Sequence, residues 1–107
     1  MHTACVHYGM AEIEFEWDPR KDRANQEKHG ISFEEAATAF YDEEGLLLED
    51  VEHSDAEDRF VMLGLSSSLR LLVVIHAYRG DDAVIRIISA RRATRPERDV
   101  YQSRLRR

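Results

Sequence analysis

Cysteine occurs once in the 107 residues, at Cys5, which excludes an internal disulfide and any cysteine-rich metal site. Lysine is confined to Lys21 and Lys28, so nearly all the cationic charge is arginine. Proline is confined to Pro19 and Pro96, and each suits the first turn of a helix. Long apolar runs are missing. The longest, Leu71–Ile75, is strand length and far short of the roughly 20 residues that span a bilayer. The first residues, Met1 to Cys5, lack the apolar stretch of a secretory signal, so the expected location is the cytoplasm. No repeat or low-complexity linker is present, and a chain of this length builds one domain around one modest core.

The charge is unevenly spread. Residues 1–58 carry 17 acidic and 4 basic side chains, a balance of −13. Residues 59–107 carry 4 acidic and 11 basic ones, a balance of +7, and every one of those basic residues is arginine. The net −6 therefore hides an arginine-rich half, whose planar, permanently charged forks suit phosphate. Charge alone leaves two readings open: a solvated surface laced with internal ion pairs, or a face that binds RNA.

Periodicity gives a coarse order of elements. Residues 1–11 show no clear pattern and are expected to be a disordered extension, with Met10 a second candidate start; residues 12–107 form the domain. Glu12 to Trp17 alternates, placing Ile13, Phe15 and Trp17 on one strand face. Asp18-Pro19 opens a helix that Gly30 closes, and Ser32-Phe33-Glu34-Glu35 opens a second one as a capping box. Strands are expected over Leu46–Val51, Arg59–Ser66, Leu69–Tyr78 and Ala83–Ala90, with an acidic loop at Glu52–Asp58. Thr94 caps a last helix. The fold class is α+β: an antiparallel sheet of about four strands plus an N-terminal strand, two N-terminal helices and one C-terminal helix, with helices on one face.

Several stretches fall in a recognisable order. They are Phe15-Glu16-Trp17-Asp18, then Lys28-His29-Gly30-Ile31-Ser32-Phe33-Glu34-Glu35-Ala36, then Arg59-Phe60 with Leu63-Gly64, and finally Ile88-Ser89-Ala90-Arg91-Arg92-Ala93-Thr94 with Glu97. The ordered set, covering about residues 12–101, resembles the BrnT family of toxins. That resemblance implies a RelE-like fold and RNA cleavage that inhibits translation. It implies a cognate BrnA-like antitoxin with a ribbon-helix-helix portion, and a toxin dimer within the complex. Operator DNA would be met only through that complex, with no membrane involved.

Metal-independent RNA cleavage uses the substrate's own 2′-hydroxyl as nucleophile. The protein must assist proton transfer and stabilise charge developing on phosphate. No metal or other cofactor is expected. The residue types that suit this chemistry are Lys28 and His29 at the end of the first helix, Arg59 at a strand start and Arg91 at a strand end; these are the candidate catalytic residues. Glu57, His76, Arg86 and Arg92 are candidates for RNA binding or support. Each has a plainer alternative: a basic helix cap for Lys28 and His29, a salt bridge for Arg59, capping or ion pairing for Arg92, and a hydrogen-bonded core histidine for His76. In a regular strand Arg86 and Arg91, five apart, point to opposite faces, as do the neighbours Arg91 and Arg92.

Two functional classes compete with different force. The first is an endoribonuclease restrained by an antitoxin. The second is a catalytically inactive module that only binds the antitoxin and acts as a transcriptional co-repressor. A DNA-binding regulator acting alone fits poorly, because the acidic first half would be repelled by phosphate and no helix-turn-helix pattern appears.

Overall fold

The computed structural model describes residues 2–8, 11–49, 59–80 and 84–106. The elements are β1 (His2–Tyr8), β2 (Ala11–Trp17), α1 (Pro19–His29), α2 (Phe33–Thr38), a short 3-10 turn (Ala39–Tyr41), β3 (Leu46–Glu49), β4 (Phe60–Leu65), β5 (Leu71–Arg79), β6 (Val84–Arg92) and α3 (Arg95–Leu105). All six strands join one sheet in the order β1-β2-β6-β5-β4-β3. The α+β class stands. Among the described residues, no helix is long and apolar enough to cross a membrane.

Three expectations are corrected. Residues 2–8 are a strand, not a disordered extension. β1 pairs antiparallel with β2 from His2↔Trp17 to Tyr8↔Ala11, which covers backbone groups that the edge of β2 would otherwise leave unpaired. The sheet is mixed, because β2 runs parallel to β6 through Glu14↔Val84, Phe15↔Ile85 and Glu16↔Arg86. The helices also lie on both faces. β5 alternates two apolar sets, Leu72 and Val74 against Leu71 and Val73, and a strand apolar on both sides needs cover on both. The α1–α2 side holds the larger cluster, with Phe15, Trp17, Ile31, Phe33, Leu72 and Ile87. The other side packs Leu63, Val73 and Ala93 under Tyr101 of α3. The expected loop at 52–58, with the candidate Glu57, and the candidate start Met10 lie outside the described residues.

The helix signals act as their chemistry dictates. The Asp18 carboxylate accepts from Arg20 N, Pro19 follows, and Gly30 ends α1 at φ +71° with its N–H on Gln26 O. A left-handed residue at that position is where glycine is relaxed and other residues are strained. The Ser32 hydroxyl accepts from Glu35 N, but the reciprocal half of the expected box is absent. The Glu35 carboxylate instead accepts from Ser66 Oγ at 2.7 Å and from Arg70 Nε at 2.9 Å, and these bonds hold its carboxyl below the usual range. The full capping box forms at Thr94 and Glu97.

α1 is attached in an unusual way. Its only buried side chain is Asn25. The amide Nδ2 donates to Ile31 O and to Ala90 O, each at 2.8 Å, and Oδ1 accepts from Ala90 N at 3.1 Å. Asn25 thus offers Ala90 a donor and an acceptor together, as a neighbouring strand would, beyond the point where the described β2–β6 pairing stops. Close packing fixes the 3-10 turn as well. A Cβ on Gly64 would lie 2.7 Å from Ala39 O, so only glycine lets β4 approach the turn this closely.

Candidate active site

The sheet face turned away from α1 and α2 gathers arginine, and a bulge is the reason. β5 and β6 pair regularly from Arg79↔Val84 to His76↔Ile87, then resume at Ile75↔Ser89, leaving Ile88 as an extra residue on β6. Below the bulge Ile85 and Ile87 face the main core; above it Ala90 does. The inserted residue reverses the parity of the strand. Arg91 pairs with Val73, which belongs to the α3-side cluster. Arg86 pairs with Ala77, four residues further along β5 and therefore on the same face as Val73. Arg86 and Arg91, on opposite faces in a regular strand, share one face here.

Arg59 immediately precedes β4, whose ladder with β5 begins at Phe60↔His76, so continued strand parity would set it beside Ala77 on that face. Ala77, Arg86 and Glu16 form a row across β5, β6 and β2, and Arg59, at the head of β4, borders it beside Ala77. Two strand spacings put the backbones of Arg59 and Arg86 about 10 Å apart, with the small Ala77 between them. Glu16 bounds the row and forms an ion pair with Arg79. Arg91 lies four residues along the sheet from this row, about 13 Å away.

Arg91 is not a loose cation. Its Nη1 and Nη2 each donate to the Glu97 carboxylate at 2.9 Å, and Nη1 also donates to Arg92 O at 3.2 Å. The Arg91 hydrogen bonds, with those of Thr94, outweigh burial and hold the Glu97 carboxyl down at about 2. Three of the five guanidinium donors are thus engaged. Arg91 is clamped by the capping residue of α3, a contact that the sequence signals only through the spacing of Thr94 and Glu97.

Other candidates sit elsewhere. His76 is fully buried on the α1–α2 side, with its ring against Phe40, Phe60 and Tyr78. Burial drives its pKa down to about 4, so it is neutral near pH 7. Its Nδ1 lies 3.2 Å from Val74 O and Nε2 3.4 Å from Tyr78 Oη. A carbonyl only accepts, so Nδ1 carries the proton and Nε2 accepts from the tyrosine. The plainer reading holds for His76: it supports Phe60 and Tyr78 and cannot touch RNA. Lys28 is exposed and His29 half-buried at the end of α1, whose Asn25 is bonded to Ala90 on the main-core side. No hydrogen bond or ion pair among the described residues joins either to Arg59 or Arg91. Arg92, exposed at the end of β6, lines a groove beside α3. Among the described residues no three His, Cys, Asp or Glu side chains group as a metal cage.

Three further ties leave no signal in the sequence. Glu35 binds Arg70 and Ser66, Glu16 binds Arg79, and the Tyr101 hydroxyl donates to Asp42 Oδ2 at 2.5 Å. Asp42 also accepts from Leu65 N and Glu44 N. Burial raises its carboxyl pKa, but these bonds outweigh burial and hold it low. Burial and the bond to Asp42 push the Tyr101 hydroxyl up to about 12.

Comparison with known proteins adds to this geometry. A family model described as the ribonuclease toxin BrnT of type II toxin–antitoxin systems matches residues 17–97, well over half of the chain. No curated protein matches. Among solved structures, the Brucella abortus ribonuclease toxin BrnT aligns with a TM-score of 0.56 at 23% identity, covering 74% of this chain and 94% of that one. At that identity the alignment establishes a common fold.

Proposed function

The chain belongs to the BrnT family of ribonuclease toxins of type II toxin–antitoxin systems, and from that premise we propose that it is a metal-independent endoribonuclease whose RNA lies on the Arg59–Arg86 face of the sheet. The observation that supports the reading is the register: the β6 bulge turns Arg86 and Arg91 to one face, and Arg59 stands at the head of the neighbouring β4. Arginine forks grip phosphate bidentately. In such a site Arg59 and Arg86 stabilise charge on the scissile phosphate while the RNA's 2′-hydroxyl attacks it. Arg91, held by Glu97, grips a separate part of the strand with its remaining donors. Cleavage inhibits translation in the cytoplasm. A BrnA-like antitoxin with a ribbon-helix-helix portion neutralises the toxin, and a toxin dimer within that complex meets operator DNA only through the antitoxin.

The test is cleavage of RNA by the purified chain. Arg59→Ala and Arg86→Ala are each expected to slow cleavage about 100-fold or more, the usual loss when one preorganised charge-stabilising donor is removed, with melting temperatures near wild type. Folded variants that cleave at the wild-type rate would overturn the placement of the site. The second reading, an inactive module that only binds the antitoxin and co-represses, draws on the clamped state of Arg91. It is supported instead if the wild-type chain binds antitoxin but leaves RNA intact.

A further inference from the structure

A groove of about 440 Å³ opens between α3 and the connection from β4 to β5. Its helix wall is Arg98, Tyr101, Gln102 and Leu105, spaced i, i+3, i+4 and i+7, so one face of α3 lines it. The opposite wall is Leu65, Leu69 and Leu71, with Arg92 and Arg70 at the rim. Leu69 is 78% exposed and Leu105 53%. Leu69 is also the only described residue other than glycine at positive φ, +62°, a conformation that L side chains avoid. Two exposed leucines, one of them held in a strained backbone, have no role in the core of this chain.

The rim is cationic and the floor is apolar. Arg70 is already bonded to Glu35, whereas no ion pair among the described residues engages Arg92 or Arg98. RNA is a poor fit for such a surface. Single-stranded bases are held by stacking on exposed aromatic rings, and the one aromatic here, Tyr101, is buried with its hydroxyl on Asp42. Aliphatic side chains in a groove beside a helix, rimmed by arginine, match an amphipathic segment that lays down its apolar side and presents carboxylates to the rim. The groove is also distant from the Arg59–Arg86 row: Leu71 and Ala77 are six β5 residues apart, about 20 Å.

We infer that this groove docks an acidic, amphipathic segment of the antitoxin polypeptide, away from the Arg59–Arg86 row. The inference rests on the toxin–antitoxin reading above. Its test uses the full-length chain and the purified antitoxin polypeptide encoded beside its gene, with affinity measured by calorimetry and RNA cleavage measured on the same preparations. The variants are Leu69→Gly, which removes the side chain at a φ where glycine is relaxed, and Arg98→Glu, which reverses a rim charge. Each is expected to weaken antitoxin binding at least about tenfold, as for an anchor residue of an interface. Free-chain RNA cleavage should be unchanged, and Leu69→Gly should melt no lower than wild type. If both variants bind antitoxin as tightly as wild type does, the groove is not the docking site, although the antitoxin reading survives. If cleavage falls while antitoxin affinity holds, the groove belongs to RNA and the inference fails. If the wild-type chain binds no antitoxin, the toxin–antitoxin reading and the inference fall together.

Discussion

Replacing Asn25 probes how the first helix is held to the sheet. Its amide makes three hydrogen bonds, two to carbonyls at 2.8 Å and one from Ala90 N at 3.1 Å, and its side chain is the only one that α1 buries. Truncation in Asn25→Ala removes all three and leaves Ile31 O, Ala90 O and Ala90 N without that partner. A net hydrogen bond contributes about 1 kcal/mol, and an orphaned buried group costs about 1–3 kcal/mol, so the loss is roughly 3–5 kcal/mol. Domains of this size have about 5–15 kcal/mol in all. At roughly 4 °C or more per kcal/mol, the melting temperature drops by at least about 12 °C. Urea titration followed by circular dichroism measures this as a lower midpoint at unchanged slope. A change under about 1 kcal/mol would refute the claim that this amide anchors α1.

Asn25→Asp sharpens the same argument by its pH dependence. The new carboxyl would face the oxygens of Ile31 and Ala90, which need a donor, so burial and those oxygens raise its pKa in the folded state above the unfolded value of about 3.9. A group raised on folding contributes stability that is fully present below the unfolded pKa and is lost as pH climbs through the folded one. The gap between Asn25→Asp and wild type should therefore widen from pH 4 to pH 7. A gap that narrows over that range would show that the carboxylate finds donors and that the bonding pattern is misread.

Gly64→Ala puts a Cβ 2.7 Å from Ala39 O and should cost about 1–3 kcal/mol; a loss below about 0.5 kcal/mol by urea titration would contradict the close approach. Tyr101→Phe removes the bond to the Asp42 carboxylate and should cost about 1.5–3 kcal/mol. Because folding raises the tyrosine from 10.0 to about 12, wild-type stability should decline between pH 10 and 12, and in Tyr101→Phe that decline should be weaker; identical alkaline limbs would refute the bond. For His76, folding lowers the pKa from 6.5 to about 4, so the neutral form's contribution is full above 6.5 and is lost as pH falls toward 4. His76→Gln should flatten that acid limb, and an unchanged slope by thermal melts would refute the buried, neutral assignment.

Much of the fold is legible because its signals are local. Asp18-Pro19, Gly30, Ser32 and Thr94 mark helix ends through short-range chemistry, and the α+β order follows from where period 2 replaces period 3.6. What the sequence leaves hidden depends on partners distant along the chain. β1 has no strong alternation of its own; its status as a strand comes from the edge of β2. The parallel pairing of β2 with β6 joins residues some 70 apart and leaves no local trace. Glu35 looks like a capping-box acid, yet Arg70 and Ser66 compete for the same carboxylate and take it. Asn25, an ordinary polar residue in a polar helix, is the one that α1 buries.

The candidate site shows the same limit more sharply, and one inserted residue accounts for it. Arg86 and Arg91 are five apart, which in a regular strand sends them to opposite faces. The intervening Ile87-Ile88-Ser89-Ala90 contains no glycine or proline to mark a bulge. The parity break becomes visible only when β6 is set against β5, where Ile88 has no partner between His76↔Ile87 and Ile75↔Ser89. Without the bulge, Ala90 would leave the main core and lose Asn25, while Arg91 would turn toward the helices and lose the Glu97 clamp. The buried amide, the capping box and the arginine face are thus one structural decision. Deleting Ile88 should restore the regular register and cost more stability than Asn25→Ala, because both anchors go together. A deletion variant that stayed as stable as wild type and kept cleaving RNA would show that the shared face is not what the arginines need.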